Sequence, residues 1–178
     1  MNSFHVTTKS IDKCYLPIPM LQAWSDVTKK LKDCHQKQGL SVHAFVLMGN
    51  HFHLLCHPRW ATLEDCLAPF LKNNIWDPSY NWSSINSHRH YLQVYRYIYQ
   101  NPLRAKLVYK VEDYPFSTLR SDLPFPLHSR VSMNFCGEEG ERFWLNQRYR
   151  PDFENSIRQG LKKRNFEMDA KFISEYMS

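Results

Sequence analysis

The stretch Met48-Gly-Asn-His-Phe-His-Leu-Leu-Cys-His57 decides how the rest of the chain is arranged. Val42 to Met48 lead into it, and Leu54 to Cys56 follow its histidines. Both runs are mostly apolar or β-compatible, so the segment reads as strand, tight turn through Gly49-Asn50, strand. Side chains alternate across a strand. His51 and His53 therefore share one face, roughly 6–7 Å apart, while Phe52 points into the core behind them. Two imidazoles placed this way can converge on one metal ion. A His-x-His pair also occurs on ordinary strands, so a third ligand and a reacting group have to come from elsewhere in the chain.

Working outward, Phe4 to Lys9 is short and β-rich, a first strand. Beyond Pro17 and Pro19, Leu21, Trp24, Val27, Thr28, Leu31 and Cys34 recur at intervals of three and four. That is the apolar face of a helix over about 19–38, ended by Gly39. Lys29, Lys30, Lys32 and Lys37 form its solvated face. Strands over about 41–48 and 51–57 follow, and Pro58 stops the second. A helix over about 61–73 contains Pro69, which would kink or split it. Tyr80 to Ile85 form a fourth strand. A further helix runs from His88 to Asn101, where Pro102 disfavours helical dihedrals. The order strand, helix, strand, strand, helix, strand, helix predicts a ferredoxin-like α+β fold. Its antiparallel sheet carries the crossover helices on one face. The last, tyrosine-bearing helix and the two histidines take the other.

That last helix supplies the second half of a site. Tyr91, Leu92, Val94, Tyr95, Ile98 and Tyr99 make its apolar side. His90, Gln93, Tyr97 and Asn101 make a polar stripe in which Tyr97 is the single tyrosine. Tyr97 and Asn101 are one turn apart and can point at the same spot. A phenol, with an ordinary pKa near 10, is a weak nucleophile unless its hydroxyl or its target is activated. A phosphodiester held by a divalent ion meets that need. His51, His53 and the amide oxygen of Asn101 form a ligand set without a carboxylate. It suits Mg²⁺ or Mn²⁺ when phosphate supplies the anionic oxygens, with Mn²⁺ the better match to imidazole.

The run Ala44-Phe-Val-Leu-Met-Gly-Asn-His-Phe-His-Leu-Leu resembles the HUH segment of the IS200-like, single-tyrosine transposases. The run Tyr97-Ile-Tyr-Gln-Asn-Pro-Leu-Arg-Ala-Lys-Leu-Val, followed by Tyr114-Pro-Phe-Ser-Thr, resembles their REP-associated branch. The resemblance covers about residues 1–121. It implies metal-dependent cleavage of single-stranded DNA near hairpin-forming repeats, with Tyr97 forming a 5′-phosphotyrosine link and leaving a free 3′-OH. Carried over residue by residue, it implies that His51 and His53 are the metal histidines and Asn101 the third polar ligand. The sequence departs from the family pattern twice. Gly49 stands where proline is frequent, and the strand near Tyr80 lacks an arginine for which Arg89 is the available substitute.

The sequence divides into a catalytic part, residues 1–121, and a basic, partly helical extension, residues 122–178. Leu123-Pro-Phe-Pro reads as a rigid spacer, and Phe135 to Gly140 hold no clear period. Asp152 to Lys163 reads as a short helix with Asp152 as its cap, and Lys171 to Met177 as another. Lys162, Lys163 and Arg164 either complement that helix's dipole or, with Arg148 and Arg150, contact DNA phosphates. Arg158 adds to this positive set, and Trp144, Tyr149 and Phe166 are placed to stack bases of a single strand.

The bulk composition agrees with this. The chain has 178 residues with 43% hydrophobic and 15% aromatic content, enough for a packed core, and a net charge of +6 compatible with a polyanionic partner. Cys14, Cys34, Cys56, Cys66 and Cys136 contain no C-x-x-C pair and read as free thiols. The start of the chain lacks a basic, then apolar, leader, and no apolar run is long enough to cross a membrane. The expectation is a soluble, cytoplasmic, nucleoid-associated protein, monomer or homodimer, whose partner is single-stranded or hairpin DNA. A non-catalytic, domesticated nucleic-acid-binding module of the same fold is the alternative. An ordinary H-x-H-x-D metallohydrolase would need an aspartate where Leu55 stands.

Overall fold

A computed structural model describes residues 3–72, 75–119, 122–128, 131, 135, 137–169 and 171–172. Four strands, β1 (Ser3–Lys9), β2 (Leu40–Leu47), β3 (His51–Pro58) and β4 (Asn81–Ile85), form one sheet in the order β2-β3-β1-β4. All three pairings are antiparallel. Helices α1 (Met20–Gln38) and α2 (Leu63–Leu71) are the crossovers. This is the ferredoxin-like α+β arrangement expected from the alternation of elements.

Strand parity assigns the two faces. Val6, Phe45, Leu47, Phe52 and Leu54 face α1 and α2, where Leu31, Leu67 and Phe70 close over them. Ala44, Val46, Leu55 and Ile85 face the other way, against α3 (His88–Tyr99). β2 changes parity at His43, where its register against β3 shifts between Val42 and Ala44. The bulge lets Val42 and Phe45 share the α1/α2 face, and it turns buried His43 toward α3, where its Nδ1 lies 2.8 Å from the Tyr91 hydroxyl. His43 is thus a structural partner of the helix.

Local sequence explains most boundaries. α1 stops at Gly39, which adopts φ +72° and returns its N–H to Cys34. α2 is capped by Thr62, whose hydroxyl accepts from the Asp65 N–H, and it runs through Pro69 to end at Leu71. α3 is capped by Ser87 in the same way. It ends at Tyr99, two residues before the expected stop. Pro102 sits in the first turn of a separate short helix, α4 (Asn101–Arg104), where it has no ladder bond to lose. A Cβ at Gly49 would lie 3.0 Å from the Tyr15 ring, so glycine leaves room for this ring against the turn.

Beyond residue 122 the chain divides: Leu123, Phe125 and Leu127 pack on the α1/α2 side, and the later helices pack on the α3 side. α5 (Gly137–Asn146), which follows a stretch without readable periodicity, contributes Leu145, and α6 (Pro151–Gly160) contributes Phe153 and Ile157. The Gln100 side chain donates to the carbonyls of Leu145 and Gln147, tying the end of α3 to that of α5. Arg150, not Asp152, is the N-cap residue of α6, with Pro151 at the first helical position. After α6 the chain reaches the free edge of β4: Ser84 N–H donates to the Arg164 carbonyl, and Phe166 N–H to the Ser84 carbonyl. The expected helix at 171–177 lies mostly outside the described residues.

Gly160 makes this return possible. A Cβ there would stand 2.5 Å from the Glu167 carbonyl oxygen and 2.9 Å from the Phe166 ring. Gly160→Ala is expected to destabilise the fold by about 1–3 kcal/mol, the usual cost of overpacking. The check is a lower urea midpoint with an unchanged slope.

Candidate active site

One cleft of about 720 Å³ opens on the α3 side of the sheet. β3 gives it His51 and His53, the α3–α4 junction gives it Tyr97, Asn101 and Arg104, and Lys9, Arg158 and Lys162 stand at its rim. Antiparallel pairing sets Lys9 opposite His51 and Thr7 opposite His53. The Tyr97 ring lies 5.9 Å from the His53 ring, nearly perpendicular to it. The His51 and His53 rings are 5.1 Å apart. The four residues read from the sequence as metal donors and nucleophile therefore line a single cavity.

The side chains are fixed by neighbouring groups. Asn50 Oδ1 lies 2.7 Å from His51 Nδ1. An amide oxygen only accepts, so the hydrogen is on Nδ1 and His51 presents a bare Nε2. His53 Nδ1 lies 3.0 Å from His5 Nε2. In the tautomer with hydrogen on Nδ1, His53 donates to His5 and also frees Nε2. Asn101 is fixed by two bonds from its Nδ2, to the Tyr97 carbonyl at 3.0 Å and the Ile98 carbonyl at 3.1 Å. These bonds cap the end of α3 and leave Oδ1 pointing the other way, where it accepts from Arg104. Two imidazole nitrogens and one amide oxygen are a donor set that could hold a divalent ion. Among the described residues, no group of three or more His, Cys, Asp or Glu side chains is arranged to hold a metal.

The histidines are kept neutral, as ligands must be. Burial lowers His51 to about 4, with help from Lys9 and Arg104. Burial, His5, His51 and Arg104 hold His53 well below its ordinary 6.5, against the opposing effect of the Asn101 side chain. Burial alone lowers His5 to about 3.

His5 is the member that sequence reasoning missed. It stacks on His53 with ring centroids 5.2 Å apart and is fully enclosed. A lone histidine on a short strand makes no motif. The available signal was parity, since His5, Thr7 and Lys9 must share a face. Arg104, inside the second motif, was also given no role.

The cationic candidates separate. Lys162 lines the cleft, its Nζ donating to Gln159. Lys163 pairs with Glu167 at 3.1 Å, and Arg150 with Asp152 at 3.6 Å. Arg164 lies over the Trp82 ring on the α1/α2 side. Arg148 lines a smaller hollow beside Tyr149 and Pro151. Arg89 stands in the first turn of α3, outside the cleft. Of the aromatics expected to stack bases, Tyr149 and Phe166 are core residues, with Tyr149 under the Arg96 guanidinium at 4.1 Å. Their spacing among cations reflected the buried segments that lead into α6 and return from it to the sheet.

No family model matches the sequence, and no curated protein matches it. Solved structures do. One is a REP-associated tyrosine transposase bound to a REP hairpin, 20% identical, with a TM-score of 0.56 over 66% of this chain and 76% of that one. Another, from Deinococcus radiodurans, is described as a candidate transposase. It is 19% identical, with a TM-score of 0.36 over 54% of this chain and 87% of that one. The chain has the fold of the REP-associated tyrosine transposases. Among the described residues, no helix is long and apolar enough to cross a membrane.

The buried neutral histidines give a pH signature in metal-free protein. Between about pH 4 and 6.5 the unfolded chain binds protons that the folded chain does not, so stability rises with pH through that window. The urea midpoint is expected to be higher at pH 7 than at pH 5. His5→Leu is expected to shrink that difference by removing one of the groups concerned.

Proposed function

We propose that this protein cuts and rejoins single-stranded DNA beside hairpin repeats through a covalent tyrosine link. The observation that carries the reading is the Tyr97 ring standing 5.9 Å from His53 in a cation-rimmed cleft, within a fold shared with a hairpin-bound tyrosine transposase. His51, His53 and Asn101 would hold Mg²⁺ or Mn²⁺, which supplies polarisation of the scissile phosphate and neutralises its developing charge.

The protein's own groups do the rest. Lys9, Arg158 and Lys162 attract the strand. The Tyr97 oxygen loses its proton to solvent and attacks phosphorus. The bond from phosphorus to the 3′-oxygen breaks, and that oxygen takes up a proton to leave as a 3′-OH. The new phosphotyrosine keeps the 5′ end. Reversal by an incoming 3′-OH reseals a strand without a nucleotide cofactor, because the phosphodiester count is unchanged.

Incubation with labelled single-stranded hairpin DNA and Mn²⁺, followed by a denaturing gel, tests this. A covalent adduct is expected from the wild type and none from Tyr97→Phe. His53→Ala is expected to weaken Mn²⁺ binding about 10–100-fold or more, at or beyond the usual effect of altering a site's supporting shell. Binding without cleavage would make the protein a nucleic-acid-binding module instead. Cleavage that survives Tyr97→Phe would assign the attack to water.

A further inference from the structure

Arg104 belongs to the second motif, yet it is neither a metal donor nor the nucleophile. Its guanidinium makes three contacts at once. It lies over the Tyr97 ring, 3.9 Å from the centroid. Its Nη2 donates to Asn101 Oδ1. Its Nη1 is 3.3 Å from Glu154 Oε1 on α6, a distance of ion pairing without hydrogen-bond geometry. A guanidinium keeps its charge at any working pH. A permanent cation therefore holds the oxygen that Asn101 offers toward the cleft, and it repels a divalent ion from that position. The same group lies against the Tyr97 ring, and its forked donors match phosphate oxygens better than a single amide oxygen.

We propose that Arg104 is an exchangeable plug. In the free protein it occupies Asn101. When a strand enters, the guanidinium transfers to the non-bridging oxygens of the scissile phosphate and releases Asn101 to the metal. Glu154 keeps the other edge of the guanidinium and limits its travel. Metal and strand then bind cooperatively through one side chain, and by linkage each strengthens the other. This rests on the metal and strand reading above.

The test is Mn²⁺ titration followed by electron paramagnetic resonance of the free ion. It uses the full chain in a Tyr97→Phe background, so that nothing is cleaved, with and without single-stranded hairpin DNA. DNA is expected to tighten Mn²⁺ binding about tenfold or more when Arg104 is present, within the usual range of coupling between sites. Without DNA, Arg104→Gln is expected to bind Mn²⁺ about threefold or more tighter than its parent, and to show a smaller enhancement by DNA. Arg104→Lys keeps the charge but lacks the fork, and is expected to fall between them. If Arg104→Gln does not fold, the direction shown by Arg104→Lys decides. Equal or weaker Mn²⁺ binding without DNA, or an undiminished enhancement, overturns the plug. A parent that binds no Mn²⁺ in either condition removes the metal reading itself, whereas a parent that binds while Arg104→Gln binds no tighter removes only the role of Arg104.

Discussion

The register of β3 between its two neighbours is the constraint on which the site depends. β3 is an inner strand, paired to β2 on one side and to β1 on the other. A slip of one residue would turn Phe52 and Leu54 out of the α1/α2 core and His51 and His53 into it. Burial of each large apolar side chain is worth about 1.5–3 kcal/mol, so the correct register is strongly favoured over the slipped one. The apolar residues of the strand thus aim its polar ones. The bulge at His43 serves the same end on β2, since it restores the inward parity of Phe45 and Leu47.

Charge is sorted within the site by depth. The imidazoles at the bottom are neutral, with burial the first cause. The permanent cations lie above them, at Arg104 and at the rim. Neutral nitrogens under a positive mouth favour an anion that brings its own counter-ion, such as a metal-bound phosphate. Under the proposed plug, Arg104 would repel an isolated divalent ion before it reached the imidazoles.

The sequence disclosed the parts of this arrangement that repeat locally. His51 and His53 are two residues apart on a strand, and Tyr97 and Asn101 are four apart near a helix end, so parity and pitch were enough to orient them. The alternation of elements pointed to the ferredoxin-like sheet, and α3 lies on the face expected for it. What stayed hidden was long-range. His5 meets His53 across 48 positions, and the hydrogen bond between them has no sequence spacing. Arg104 touches Glu154 from a helix whose docking no period announces. Tyr149 and Phe166 looked available to bases because aromatics among cations have the same composition in a buried connecting segment as on a nucleic-acid surface. Pro102 was read as the end of a helix when it opens the next, because proline is compatible with both positions.

The two outer strands are each met near the C-terminal end by the chain's own backbone. Beside β2, Leu47 N–H donates to the Phe116 carbonyl and Thr118 N–H to the Phe45 carbonyl; beside β4, residues 164–166 bracket Ser84. Lateral growth of the sheet is therefore obstructed from within. A second copy cannot continue the ladder there, and neither can an extended peptide. At those positions an added strand would first have to displace the chain's own backbone.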